Sequence, residues 1–527
     1  MRDSTSCCRQ VERTLDVMNA PFSLAAARFD RRRFLISTGA AAVAMGTAAC
    51  SSDSSDLTRL GSRRVEPTSP LVEQAERARR FAGARTTTLN LRADARDVDL
   101  GGAQVRTWAY GDAVPGEVVR VQRGDVLRAR VENKLPQPTT IHWHGLELRN
   151  DMDGVPGLTQ EAIPTGSAMD YEFVAATAGT HWFHSHVGAQ RDRGLYAPLI
   201  VEDPADGADY DDELVVVLDD WLDGISSDPD EVLRSVRDSG MGRAGGHGGM
   251  MGSDFPTSDL IGPAGEVDYP HMLANGRTAD APHTVRARAG QRLRLRIINA
   301  AADTAFRVGV PGTPLRITHT DGFPVEPMVA DSLLLGMGER VDAIVTVPEA
   351  STPVVALAEG RGSHAAVVLR VGTTSSAVDT TAAAARLAGS GVAGSLDLVA
   401  SERVRIDPGE PDVTHDLVLS GPDRRGNWLI NDQTYDPDEG LPVRTGQRVR
   451  LRLRNASMMF HPVHLHGHTV QVRGRDGGGP RKDTVLLLPH QELEVEFDAV
   501  NPGQWLTHCH NLYHGETGMK TVLSYLD

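Results

Sequence analysis

Three stretches of this chain follow one plan: VQRGDVLRARVENKL (121–135), RARAGQRLRLRIINAA (286–301) and VRTGQRVRLRLRNAS (443–457). Each has a glycine turn, then alternating polar and apolar residues, then a closing asparagine. Alternation with a period of two puts one set of side chains on one face, which is the pattern of a half-buried β-strand. Copies this far apart are too widely spaced for a solenoid and imply three β domains. With 53 Gly and 30 Pro in 527 residues, turns are frequent enough for many short strands. The expected fold is all-β.

Two segments read as linkers. EDPADGADYDDE (202–213) separates the first two domains, and a Ser/Thr/Ala/Gly stretch at 372–395 separates the second and third. The expected domains are 89–203, 210–371 and 396–527. Before them, residues 51–88 read as a tether opening on SSDSSD and carrying a surface helix, LVEQAERARRFAG.

Residues 1–50 read as an export signal. DRRRFLISTGAAAVAMGTAAC places Arg31 and Arg32 ahead of a short apolar run and small residues. Paired arginines point to the Tat route, and the run is shorter than a membrane span of ~20 residues. TAAC resembles a lipobox, so Cys50 is a candidate lipid anchor at the outer face of the cytoplasmic membrane. Thr47 fits that motif poorly, and simple cleavage with secretion is the alternative. The net charge of -16 argues against a nucleic-acid partner. The chain is expected to be a monomer.

Chemistry begins after the repeats. IHWHG follows the first and MMFHPVHLHGH the third, whereas AADTAFRVGV follows the second and holds no histidine. Four His-x-His pairs result: His142/His144, His184/His186, His464/His466 and His508/His510. Residues i and i+2 of a strand share a face, so each pair can ligate neighbouring metals. One such pair on a strand is common. Four at matching places in two related domains point to a cluster, and imidazole suits copper.

Apart from residues 1–50, Cys509 is the one cysteine, and it lies between His508 and His510. On a strand it faces away from both, towards a second site. His461, His514 and Met519 complete a His₂Cys set with an axial thioether, which is the blue-copper arrangement.

HWHG, HSH, HPVHLHGH and HCHNLYHGETGM together resemble the four signatures of three-domain multicopper oxidases of the laccase type, over about residues 90–527. NDMDGVPGLTQ, DTAFRV, HTDGFPV and PRKDTV resemble the exported copper-resistance oxidases of actinobacteria. The resemblance implies three cupredoxin-like Greek-key barrels and four copper ions. It implies a type 1 copper on His461, Cys509, His514 and Met519, and a type 2 copper on His142 and His464. It implies a type 3 pair on His144, His184, His186, His466, His508 and His510. O₂ would be reduced to water, with Asp153 as a proton relay. The family's second acid directly follows the type 1 histidine; here that position is Gly515, with Glu516 next.

The substrate stays open between cuprous ion and phenols or aryl amines. Thioethers favour Cu(I). Met458 and Met459 precede His461, and GMGRAGGHGGMM (240–251) adds Met241, His247, Met250 and Met251 as candidate Cu(I)-capture groups. Core packing is the competing role for Met458 and Met459, and an inert linker for 240–251. A copper-binding protein without turnover is the third reading.

Overall fold

The computed structural model describes residues 63–207, 209–239, 256–373, 376–474 and 478–527. The three repeats form the strands Val126–Asn133, Arg292–Asn299 and Arg448–Asn455. Each pairs in parallel with a preceding strand: Thr86–Asp99, Asp212–Trp221 or Val413–Ser420. Each also pairs antiparallel with a later one: Ala168–Val174, Arg340–Thr346 or Glu492–Asp498. Gly124, Gly290 and Gly446 take φ of 86°, 76° and 90°, the left-handed region that only glycine enters cheaply.

The closing asparagines do the same work three times. The Asn133 amide donates to the carbonyls of Gln137 and Ile163, and its oxygen accepts from the Leu135 backbone. Asn299 does so with Thr304, Leu335 and Ala301. Asn455 does so with Met459, Leu488 and Ser457. A buried side-chain amide thus satisfies a turn that no ladder can satisfy, and it fixes where the next strand starts. In the first and third units the next strand carries histidines.

Among the described residues each unit has two main sheets, of four and four strands, then seven and six, then six and five, and the middle unit adds a two-stranded one, Thr257–Ser258 with Gly262–Pro263. Their apolar faces enclose cores such as Leu127, Val131, Phe183 and Leu199 in the first unit, while Val98 and Val105 pack with Trp221 and Leu273 across the first and second units, and Phe460 and Leu486 join the core of the second. The middle repeat departs from clean alternation because Arg294 and Arg296 are buried. Both guanidiniums pair with Asp342, and the Thr180 hydroxyl of the first unit donates to the same carboxylate. The polar face of that strand is an inter-unit contact.

One expectation is sharpened by the structure and one is corrected. The helix Pro70–Arg79 is capped by Ser69 and lies on the surface as expected, with Val72 and Glu76 as its buried residues. Val72 lies in the core of the third unit, while the Glu76 carboxylate accepts from the Val174 amide of the first. Val65 also donates to the Tyr525 carbonyl, so this segment clasps the first and third units. The stretch 372–395, by contrast, is not an open linker. It contains the helix Thr380–Ala388, whose Ala383, Ala384 and Leu387 pack on Val355. It also contains the strand Val392–Gly394, paired with Ser332–Leu335. Alanine is both a strong helix former and small enough to pack closely, a role that composition alone disguised as a linker.

Candidate metal centre

Strand pairing assembles the site. His142–His144 runs antiparallel to Gly179–His184 and sets His142 opposite His184. In the third unit His461–Leu465 pairs with Gln504–Cys509, setting His464 opposite His508 and Val463 opposite Cys509. All eight histidines of the four pairs fall into three groups whose ligand atoms lie within 4.8 Å: His142/His144/His464, His144/His184/His510 and His186/His466/His508.

Backbone carbonyls set the tautomers. Nδ1–H of His142, His184, His464 and His508 donates to the carbonyls of Asp153, Ser185, Asp483 and Cys509 at 2.9, 2.9, 3.0 and 2.8 Å. A carbonyl can only accept, so the lone pair of each ring is on Nε2. His144 is reversed: its Nε2 meets Asp483 Oδ1 at 3.1 Å, leaving Nδ1 for the interior. His144 Nδ1 and His184 Nε2 are buried without a hydrogen-bond partner. His142 and His464 bring Nε2 atoms to 3.3 Å, and His466 and His508 to 3.1 Å. Lone pairs aimed at each other repel unless a cation lies between them. Burial and the neighbouring rings hold His144, His184, His186, His466, His508 and His510 below the usual histidine range, in the neutral form a metal requires. A buried, neutral, all-imidazole donor set fits copper.

Carboxylates support the rings from outside. Asp153 Oδ2 accepts from His466 Nδ1 at 2.9 Å, and Oδ1 lies 3.2 Å from His142 Nδ1. Asp483 touches His144 and is clamped by Arg340 at 2.7 and 2.5 Å. Burial works against the Asp483 anion, but Arg340 outweighs it and holds the carboxyl well below the usual range.

Behind the cluster lies the sulfur site. Cys509 Sγ is 3.5 Å from His461 Nδ1 and 3.7 Å from His514 Nδ1, and the two nitrogens are 3.1 Å apart. His514 sits in the short helix Leu512–Glu516, where the Asn511 side chain caps the Tyr513 and His514 amides. Met519 is fully buried, with its amide bonded to the His514 carbonyl and its carbonyl to the Cys509 amide. The distal nitrogen of His461 meets Ser457 Oγ at 2.7 Å, and that of His514 lies 3.6 Å from Glu266. Burial pulls His514 down, yet Cys509 and Glu266 outweigh it and push the imidazole up to about 10. The Trp428 indole packs 5.1 and 4.1 Å from the two rings.

Glu516 lines a small cavity at the His184/His186/His508/His510 edge of the cluster. Its carboxylate is held by Lys520 at 2.5 Å and Arg237 at 3.1 Å. Burial raises its pKa, but these two cations prevail and lower it. The two adjacent methionines part company. Met458 is 65% exposed, with Sδ 3.2 Å from His490 Nε2, whereas Met459 is packed in the third core and offers no free thioether. Met241, His247, Met250 and Met251 lie outside the described residues. His181 and His468 hydrogen-bond to the Thr177 carbonyl and the Tyr525 hydroxyl, as structural residues do.

Sequence reasoning did not single out Asp483, Arg340, Glu266, Ser457, Lys520 or Arg191. Asp483 lies inside the quoted PRKDTV, but nothing in its spacing ties it to His144, which is 339 residues away. Glu266 belongs to the middle unit, where no His-x-His pair marks a site.

Three family models described as multicopper oxidase match residues 93–206, 212–378 and 408–526. The multicopper oxidase MmcO of Mycobacterium tuberculosis is 40% identical over 506 residues, 95% of this chain and 97% of that protein. The copper resistance protein A of Escherichia coli is 26% identical over 83% of this chain and 92% of its own length. Among solved structures, the Botrytis aclada laccase matches with a TM-score of 0.69 and 25% identity over 84% of this chain and 88% of its own. The multicopper oxidase Fet3p shares the fold, with a TM-score of 0.70 and 20% identity over 84% of this chain and 90% of its own.

Proposed function

We propose cuprous ion as the physiological substrate of this chain, which belongs to the multicopper oxidase family and is an oxygen-dependent oxidoreductase. Four coppers would be held in this reading: one by His461, Cys509, His514 and Met519, one by His142 and His464, and two by the other six histidines of the cluster. Copper bound there supplies one-electron oxidation at the sulfur site and four-electron reduction of O₂ to water at the cluster.

The protein's own residues do the rest. Cys509 is covalently flanked by His508 and His510, so a few backbone bonds join the two sites. Asp153 contacts two rings of the cluster and can give up or take a proton between them. Glu516 can pass a proton along its contact with Lys520 beside the cavity. Asp483 and Arg340 hold His144 and His464 in their tautomers.

The observation that carries the substrate choice is Met458, a thioether left in solvent three residues before His461. An exposed methionine gains nothing from packing, but it suits a soft cation. Glu266 adds a negative charge beside His514. The same carboxylate could accept the proton of a phenol, so phenol oxidation is the second reading, in line with the laccase relatives. The test compares O₂ uptake on Cu(I) and on 2,6-dimethoxyphenol for the fully metallated protein. A specificity constant higher for the phenol than for Cu(I) would reverse the choice.

Met241, His247, Met250 and Met251 belong to the same proposal as a feeding loop. The described helix before them, Pro229–Ser239, places Arg237 on Glu516; past them, a Cβ on Gly262 would meet the Met458 carbonyl at 3.3 Å. Tat export and lipid attachment at Cys50 complete it, and both rest on residues outside the described range. Membrane fractionation of a Cys50→Ala variant tests the anchor: an unchanged membrane share would rule it out.

A further inference from the structure

A second cavity, of about 750 Å³, shares no lining residue with the small one beside the cluster. All three units close it: Thr177 and Val201 from the first, His319 and Phe323 from the second, Arg403 and Arg481 from the third. Sites for small molecules run from about 300 to 1,000 Å³ and favour such junctions. Its walls are fixed before anything enters. The first two units meet so closely there that a Cβ on Gly179 would lie 2.4 Å from the Gly322 Cα. The turn that carries Arg403 is pinned by the Ser401 amide on the Pro324 carbonyl and by the Val404 amide on the Ser401 carbonyl, each at 3.0 Å.

The carboxylates of the lining are already engaged. Glu202 pairs with Arg120 at 3.0 Å, Asp203 with Arg123 at 3.0 Å and Glu213 with Arg296 at 2.8 Å. Asp206 pairs with Arg294 and, at 2.9 Å, with His319. Two guanidiniums have no such close partner among the described residues. Arg403 comes no nearer to a carboxylate than 3.8 Å, at Asp206, and its side chain is 51% exposed. Arg481 comes no nearer than 3.5 Å, at Glu147. Its other contacts are neutral: the Thr469 hydroxyl at 2.9 Å, the Val404 carbonyl at 3.3 Å and the Phe323 ring, whose centre lies 4.5 Å away. The bond to Val404 sets Arg481 beside the turn of Arg403, so both guanidiniums border the same part of the cavity.

We propose that this three-unit cavity binds a small organic oxyanion, a carboxylate or phosphate ester, with its charged group on Arg403 and Arg481 and its body against Phe323, Pro324 and Val404. A guanidinium fork matches two oxygens of such a group. A cationic ligand would find every carboxylate of the lining paired, and a neutral one would leave both forks without a counter-charge. An occupant joins the second unit to the third, so it stabilises the closed arrangement by mass action. The proposal depends neither on the copper sites nor on the electron donor.

The test is calorimetric titration of the copper-loaded protein with phenyl phosphate and with phthalate, alongside thermal melts against sodium chloride of the same ionic strength. Binding with a stoichiometry of one and a raised Tm are expected. The tighter probe names the head group, and equal binding means that either serves. Arg403→Ala, at a position half in solvent, should weaken binding about tenfold or more, as loss of a charged hydrogen bond predicts, and Arg481→Gln should do the same. No binding of either probe at millimolar concentration overturns the proposal. So does undiminished binding in both variants, which would place the ligand elsewhere, or an equal rise in Tm with sodium chloride alone. If Arg481→Gln fails to fold, Arg403→Ala decides: wild-type affinity in that variant overturns the site.

Discussion

Asp153 Oδ2 accepts a hydrogen bond from His466 Nδ1 at 2.9 Å across 313 residues of sequence, and the same carboxylate touches His142. One acid thus contacts histidines contributed by the first and third units. Asp153→Asn preserves size but cannot carry a proton. Turnover should fall about a hundredfold with Cu(I) and phenol alike, since the loss is in proton transfer to oxygen. Stopped-flow should show blue colour bleaching at the normal rate and returning slowly with O₂. A normal return rate would place the relay elsewhere.

Cys509→Ser should abolish the blue absorption and all turnover while leaving the eight cluster histidines able to take up copper. The sulfur lies 3.5 and 3.7 Å from the two histidine nitrogens, and serine offers no comparable soft donor. Metal analysis with absorption spectroscopy checks both halves. A blue, active variant would contradict the assignment.

Glu516→Gln should slow O₂ reduction about tenfold, less than Asp153→Asn, because Glu516 acts from the cavity rim through Lys520. Gly515→Glu in the same protein should recover most of that loss. A Cβ at position 515 would meet the Cys509 carbonyl at 3.1 Å, Lys520 Cε at 3.6 Å and His508 Nδ1 at 3.8 Å, so the recovery requires that carbonyl to yield by a few tenths of an ångström. Unchanged rates in Glu516→Gln would show that Asp153 alone suffices.

Met458→Ser and Glu266→Gln separate the substrates. Met458→Ser should raise the apparent KM for Cu(I) about fivefold and leave phenol oxidation within twofold, since only Cu(I) uses the thioether. Glu266→Gln should weaken both. Steady-state O₂ uptake with each substrate reads the difference, and equal losses after Met458→Ser would remove the thioether from the proposal.

Asp342 should contribute to the acid sensitivity of the fold, alongside the other lowered carboxyls Asp483 and Asp206. Burial raises the Asp342 pKa, but Arg294 and Arg296 outweigh that and push it down to about 2. A carboxyl lowered in the fold stabilises above its unfolded pKa of 3.8, and that contribution fades as pH falls towards about 2. The shift corresponds to about 2 kcal/mol. Asp342→Asn should cost about 2 kcal/mol near neutrality, because it removes the carboxylate that Arg294 and Arg296 share and leaves them only Asp206 and Glu213, and should flatten the loss between about pH 4 and 2. Urea unfolding at several pH values measures both.

Several features could be read directly from the chain. Alternation after Gly124, Gly290 and Gly446 announced the strands, because a period of two is a local property of extended backbone. The His-x-His spacing announced which residues share a face, and the position of Cys509 between His508 and His510 announced that the thiol serves another site. These are short-range facts, set by covalent geometry within a few residues. What only the tertiary structure decided is long-range. His144 turns its Nδ1 inward because Asp483 and Arg340, from the third and second units, hold its other nitrogen. Met459 is core and Met458 is lip because the Asn455 bracket ends the turn between them. The stretch at 372–395 is a packed helix and strand because the second unit offers Val355 and a free sheet edge to receive it. Arg191 meets His510, and Glu266 meets His514, only where separate units close on each other. Burial and charge pairing between distant segments depend on that closure, and no local pattern in the sequence encodes it.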